Sequence, residues 1–208
     1  MFSENSRRFG TKARQSVREQ ALSLKLMIYT RSKTKEELEQ ILTLQKQNLA
    51  LELSADEIAA QGFVTVSHSF ADLEKMNELE AHVIAKDEDR VIAYLLAMTV
   101  RSRFDVPILM PMFEMFEELT YKHKKIADYN YIVVGQVCVA AGYRGQGIFD
   151  ACYAAYKNYF KDRYDFAITE IATRNQRSLN AHKRVGFETI HEYTAPDGEE
   201  WNIVAWDW

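Results

Sequence analysis

The sequence predicts a mixed α/β fold, a sheet of both parallel and antiparallel strands with helices packed on its faces. Two observations carry that reading. Apolar, β-prone runs alternate with helix-start signals along the chain, and the implied connections include both tight hairpins and helical crossovers. The 208 residues are 47% hydrophobic and 27% charged, with no internal repeat, low-complexity tract or linker, so one core of ordinary size is expected. A single domain over 23–208 follows, preceded by an arm or extra helix over 1–22.

Taken in order, Leu24 to Tyr29 is a short β-prone run. Thr34-Lys35-Glu36-Glu37 is a capping box that opens a helix expected to carry Leu38, Ile41, Leu42 and Leu49. Ser54-Ala55-Asp56-Glu57 repeats the signal for a second helix, and Ser69-Phe70-Ala71-Asp72 opens a third through Met76 and Leu79. His82 to Lys86 and Val91 to Val100 are apolar runs split by the charged turn Asp87-Glu88-Asp89-Arg90, which reads as a hairpin. Residues 101–130 carry a weaker pattern: Pro107 and Pro111 bracket Ile108-Leu109-Met110, and Met112 to Tyr121 has the makings of a helix. A strand over 131–139, a helix over 148–160, a strand over 166–172 and a helix from about Ser178 to Val185 come next. Two terminal strands, 187–193 and 201–208, are joined by the turn Ala195-Pro196-Asp197-Gly198.

Bulk properties narrow the function. A formal net charge of −4 gives no support for nucleic-acid binding. No apolar run approaches the roughly 20 residues needed to span a bilayer, so no membrane partner is expected. Arg7, Arg8, Lys12, Arg14 and Arg18 are not followed by a secretory-type apolar stretch, and a surface arm is preferred over a mitochondrial presequence. Cys138 and Cys152, the two cysteines, lie in apolar surroundings and read as buried thiols in a reducing, cytoplasmic setting.

The most informative stretch is Gly142-Tyr143-Arg144-Gly145-Gln146-Gly147, placed between a strand-like run and a helix-like run. Glycines there let a ligand approach the backbone, and the following helix offers unpaired N–H groups to an anion. A dinucleotide fingerprint would need glycine where Asp150 stands, and a P-loop would need Lys-Ser or Lys-Thr where Ile148-Phe149 stands. Neither fits.

The segment from Val137 to Ile148 resembles the acyl-CoA-binding stretch of the GCN5-related N-acetyltransferase (GNAT) superfamily, written Arg/Gln-x-x-Gly-x-Gly/Ala. Asn175-Gln176-Arg177-Ser178, continuing to Gly186-Phe187, resembles that family's Asn-x-x-Ser/Ala stretch. The two occur in the family's order with a strand between them, and the likeness covers nearly all of 24–208. One departure is Gly142 in the position of Arg or Gln. The resemblance implies a central, mostly antiparallel twisted sheet of six to seven strands flanked by helices on both faces. It also implies acetyl-CoA as co-substrate, no metal, and transfer of an acetyl group to a primary amine of a small molecule or peptide by direct attack in a ternary complex. A non-catalytic acyl-CoA-binding module, or transfer of another acyl group, are the alternatives.

By the same resemblance, strands 131–139 and 166–172 splay apart around a bulge. The pantetheine arm would lie in the gap against Val137, Cys138 and Val139, pairing with the backbone of the two valines. The pyrophosphate would rest on amides of Arg144, Gly145, Gln146, Gly147, Ile148 and Phe149, with Arg144 adding a charged contact or else facing solvent. Asn175, Ser178 and Asn180 would meet the pantetheine, with helix capping as the plainer role for Asn175. His182 occupies the position where many relatives carry an acidic tyrosine. A histidine can donate a proton near neutral pH, and packing beside the co-substrate is its structural alternative. Tyr153 and Tyr193 are other proton sources. No base is evident: Gln136 cannot act as one, and Glu170 faces either side of its strand. Glu114, Glu117 and Glu118 attract a cationic amine on one reading and form a solvated helix face on the other. Met110, Met112, Phe113, Met115 and Phe116 line an acceptor pocket on one reading and lie in the core or at a homodimer surface on the preferred one. Cys138, lacking an activating base, is expected to be structural.

Overall fold

A computed structural model describes residues 27–208. The strand expected over 24–29 begins outside those residues, and the 1–22 arm lies wholly outside them. The first strand is β1 (Ile28–Arg31). Helices α1 (Lys35–Lys46), α2 (Ala55–Gln61) and α3 (Phe70–Leu79) follow, and each opens on the capping box read in the sequence. The hydroxyls of Thr34, Ser54 and Ser69 accept from the N3 amides, and Glu37, Glu57 and Asp72 reach back to the cap N–H groups. These reciprocal bonds satisfy amides that the first helical turn leaves open. Leu49, expected on α1, lies beyond its end and forms an isolated parallel bridge with Val64.

The hairpin is β2 (Val83–Asp87) and β3 (Arg90–Met98), closed at Asp87↔Arg90. The 101–130 region is α4 (Ser102–Asp105), then α5 (Met110–Glu118), then a two-stranded pair, β4 (Thr120–Tyr121) with β5 (Lys124–Lys125). The expected helix over 112–121 therefore starts and ends earlier, and Tyr121 is in a turn-like ribbon. The remaining elements are β6 (Ile132–Val139), α6 (Ile148–Phe160), β7 (Phe166–Ala172), α7 (Gln176–Val185), β8 (Glu188–Thr194) and β9 (Glu200–Asp207).

Seven strands form one mixed sheet in the order β1-β2-β3-β6-β7-β9-β8. Every neighbouring pair is antiparallel except β6 with β7, whose helical crossover α6 makes them parallel. One face carries α1, α3 and α5, packed through Leu38, Ile41, Leu73, Met76, Phe113 and Phe116. The other carries α6, whose Ile148, Cys152, Tyr153, Tyr156 and Phe160 form a stripe at helical spacing against Ala93, Leu95 and Ala167. No helix among the described residues is long and apolar enough to cross a membrane.

Two irregularities shape the middle of the sheet. Between Val137↔Leu95 and Val134↔Ala97, β6 advances three residues while β3 advances two, so β6 bulges at Gly135-Gln136. The Met98 side chain packs against Gly135 there, its sulfur 2.0 Å from where a Cβ would stand, so a larger residue would require that flexible side chain to shift. The second irregularity is the parallel ladder itself. It consists of Ile132↔Ala167 and Val133↔Ile168, after which the strands part.

Candidate active site

The parting of β6 and β7 opens a gap directly before the glycine turn. Ala140 N–H donates to the Ile92 carbonyl at 2.8 Å, so alternation along the strand turns the polar groups of Val139 and Val137 away from β3 and into the gap. The side chain of Thr169 closes the apex, donating to the Val134 carbonyl at 2.7 Å. Beyond the strand ends lies a cleft of about 760 Å³. Its walls come from Val137–Val139, the turn at Arg144, Gly145 and Gly147, the start of α6 through Asp150, and Asn175–Ser178 of α7.

The turn is built for close approach. Gly145 and Gly147 have φ of 73° and 77°, and nothing stands within 4 Å of where their Cβ atoms would be. Those left-handed angles favour glycine, and the empty space above them is the cleft. Gly147 is the residue before α6, so the unpartnered N–H groups of that 13-residue helix face the same space. Gly142 has neither a positive φ nor a close neighbour, so its glycine is not sterically required. The family pattern also fits when started at Arg144, with Gly147 as its inner glycine and Phe149 replacing the final small residue. The backbone favours that register.

A strap that sequence reading missed crosses the gap. Gly62, at φ 72°, ends α2, and the chain then runs through Phe63 to Val66. Asn175 Nδ2 donates to the Phe63 carbonyl at 3.0 Å from the α7 side, and Gln136 Nε2 donates to the Val66 carbonyl at 2.8 Å from the β6 side. Beneath it lies a second cavity of about 80 Å³, which shares Phe63, Val64, Val137, Asn175 and Ser178 with the larger cleft. Gln136 is part of a buried amide network, accepting from Gln45 Nε2 (2.9 Å) and Tyr94 Oη (2.6 Å).

The expected site residues divide accordingly. Val137, Cys138, Val139, Arg144, Gly145, Gly147, Ile148, Phe149, Asn175, Ser178 and Asn180 all line the larger cleft. Gln146 does not; its amide folds back to the Gly142 carbonyl at 2.9 Å. Arg144 is neither solvent-facing nor free: Nε donates to the Val139 carbonyl at 3.0 Å, and the other guanidinium nitrogens donate to Gln61 and Asn48. Asn175 is the cap of α7, its Oδ1 accepting from Ser178 N–H at 3.2 Å while Nδ2 holds the strap. Asn180 is exposed on the cleft wall, and its side chain bonds no described residue, which leaves it open toward the cleft.

His182, for which sequence left two roles open, lies on the buried face of α7 beside the smaller cavity. It is 2% exposed, ringed by Phe149, Tyr153 and Phe187. Nδ1 lies 2.8 Å from the Ser178 carbonyl, which can only accept, so Nδ1 carries the hydrogen and Nε2 accepts from Tyr153 Oη at 2.6 Å. Burial drives its pKa down to about 4, so the ring is neutral near pH 7 and its one N–H is already committed. The same bond engages Tyr153. This geometry matches the structural alternative and tells against proton donation by His182.

The other candidates differ in burial and partners. Cys138 and Cys152 are free, buried thiols, each pushed up to about 12 by desolvation. Glu117 pairs with Arg103 and Glu118 with Lys125, while Glu114 is exposed, so this is the solvated face of α5. Met112, Phe113 and Phe116 are in the core beneath it. Glu170, left open by sequence, faces the smaller cavity. The described residues hold no cluster able to bind a metal.

The family model described as Acetyltransferase (GNAT) family matches residues 38–187, which contains the splayed strands, the glycine turn and the capped helix. The chain belongs to the GNAT acetyltransferase family. Solved GNAT structures share its fold at low identity. An acetyltransferase of the GNAT family from Streptococcus agalactiae superposes with a TM-score of 0.60 at 11% identity, covering 88% of this chain and 95% of that one. The NatC complex bound to Gag peptide and CoA gives 0.59 at 14%, over 88% and 98%. Arabidopsis thaliana NAA60 in complex with acetyl-CoA gives 0.54 at 10%, over 88% and 99%. No curated protein matches this GNAT chain by sequence.

Proposed function

We propose that this protein transfers an acetyl group from acetyl-CoA to a primary amine of a small molecule or peptide, by direct attack in a ternary complex. The observation that carries the reading is the two-rung β6–β7 ladder, which leaves the inward polar groups of Val137 and Val139 at the foot of a glycine-lined cleft. An extended pantetheine arm with alternating amide groups fits that edge as an added strand would. The amides at Gly147–Phe149, backed by the α6 dipole, suit its pyrophosphate. Arg144 holds the Val139 carbonyl in this conformation, so pantetheine binding requires Arg144 to release it and frees the guanidinium for the phosphates. That CoA and acetyl-CoA are bound by structural relatives supports the same assignment.

The chemistry needs a neutral amine, support for the oxyanion and a proton for the departing thiolate. A backbone N–H of β6 beyond its bulge is the candidate oxyanion donor. The test is direct: saturating acetyl-CoA should raise the melting temperature, by mass action, by an amount that grows with ligand concentration. Free-thiol release across polyamines, amino acids, aminoglycosides and peptides then reports transfer. No thermal shift would overturn the proposal, and a shift without thiol release from any acceptor would make the chain an acyl-CoA-binding module.

A further inference from the structure

The gap between β6 and β7 has a direction. The glycine turn and the start of α6 lie at its wide end, beyond Val139, and the strands converge from there toward the rung Val133↔Ile168. On the acetyl-transfer reading the pyrophosphate sits at the wide end. The pantetheine arm then runs back along β6 past Val139 and Val137 and carries its acyl group toward the convergence. Val134 is three residues beyond Val137, about 10 Å of extended chain, so the acyl end points at the closed end of the gap.

What closes that end is one side chain. Thr169 is 7% exposed, and its hydroxyl donates to the Val134 carbonyl at 2.7 Å. Both residues stand one position past the last rung, where the backbones have begun to part. The structure behind them is firm: Val133 and Ile168 are fully buried, and the Val133 carbonyl also accepts from Tyr156 Oη of α6 at 3.1 Å. In front lies the smaller cavity of about 80 Å³, which Val134 and Thr169 both line. That is the liquid volume of two to three waters at about 30 Å³ each, which suits an acetyl group and little more.

We propose that Thr169 sets the acyl-chain limit of this protein: its side chain, tied across the gap to the Val134 carbonyl, is the wall on which the acyl group ends. Acetyl is accepted, and a four-carbon chain is rejected. The inference rests on the acetyl-transfer reading and adds the residue that determines acyl size. A longer chain has to break the Thr169 bond, leaving a buried carbonyl unpaired, or part the ladder behind it. Discrimination by a single methylene in such a pocket is about 10- to 200-fold.

The experiment titrates CoA, acetyl-CoA, propionyl-CoA and butyryl-CoA calorimetrically into wild type, Thr169→Ala and Thr169→Ser. Wild type should bind acetyl-CoA at least about tenfold more tightly than butyryl-CoA. Thr169→Ala removes the hydroxyl and the methyl together, so that ratio should fall toward one, with affinity for CoA itself within about twofold of wild type. Thr169→Ser keeps the tie and should retain most of the discrimination. Because each ratio is taken within one protein, a general loss of stability cancels. If Thr169→Ala does not fold, Thr169→Val replaces it: the bulk stays, the tie is lost, and the ratio should still fall, by about threefold or more. Equal wild-type affinity for acetyl-CoA and butyryl-CoA, or a wild-type ratio kept in the variant that lacks the tie, overturns the assignment of Thr169 and leaves acetyl transfer standing. Failure of wild type to bind any of the four overturns the transfer reading and this inference with it.

Discussion

His182 shows what a single residue's surroundings can reverse. Its place on the chain, seven residues after Asn175, marks it as a neighbour of the cleft, and it is one. What the spacing does not carry is the direction of its ring: Phe149 and Tyr153 of α6 enclose it together with Phe187, just past the end of its own helix. Its folded pKa of about 4 lies below the unfolded value near 6.5, so the unfolded chain binds the extra proton first. Stability from this site is therefore complete above about pH 6.5 and lost as pH falls toward 4, by on the order of 3 kcal/mol. His182→Gln should flatten that part of a melting-temperature-versus-pH curve. It should leave transfer to the amine within a few-fold of wild type; loss of turnover with acetyl-CoA binding intact would restore His182 as a proton donor. His82, also buried and held near 3, keeps some acid sensitivity in the variant.

Among the elements, the strap at Phe63–Val66 depends on Asn175 more than its neighbours do. One side chain caps α7 and holds the Phe63 carbonyl, so Asn175→Ala removes both. A lost cap costs about 1 kcal/mol and an orphaned buried carbonyl about 1–2 more, for a total near 2–3 kcal/mol in urea unfolding. Acetyl-CoA affinity should fall as well, since the strap walls both cavities. A destabilised variant with unchanged affinity would show that the strap is only a structural tie. Helices α1 to α3 were legible because their capping boxes are local signals. The strap was not, since its partners lie 70 and 112 residues away. Residues 101–118 were misjudged for a related reason: α4 and α5 have no side-chain cap, and prolines interrupt their pattern. The bulge at Gly135-Gln136 is likewise a matter of register against the neighbouring strand, which no pattern in β6 announces.

Across the whole molecule, the mixed, mostly antiparallel sheet with helices on both faces agrees with the fold class expected from the sequence, while the strand order became visible only in the structure. The family motifs located the cleft because glycine geometry and helix capping are written locally. No comparable local motif in the sequence marks an acceptor side. Long-range ties also hold the far edge. Glu80, with its side chain 5% exposed, joins Arg31 of β1 to Arg163 and Tyr164 beyond α6. Burial works against its charge, but the bonds from Arg163 and Tyr164 outweigh it and hold the carboxyl below its ordinary range. Glu80→Gln should lower stability by about 2 kcal/mol, less than the 3–5 of a fully buried pair because both arginines reach solvent. The deficit should vanish as pH drops through the depressed carboxyl pKa, where wild type loses the same interaction; a deficit independent of pH would assign it to packing.

The short β6–β7 ladder has a consequence for how the molecule breathes. Two rungs, the Thr169 bond and the paired bonds between Asn130 and Asp165 just before them join β1-β2-β3-β6 to β7-β9-β8, so the sheet is two half-sheets sewn along a brief seam. Amides of Val137 and Val139 lie past that seam and face away from β3. Their protection against hydrogen–deuterium exchange is set by the local opening of the strap and turn, while Cys138 and Ala140, locked to β3, follow the global unfolding of the sheet. Alternate residues of one strand thus keep two different clocks.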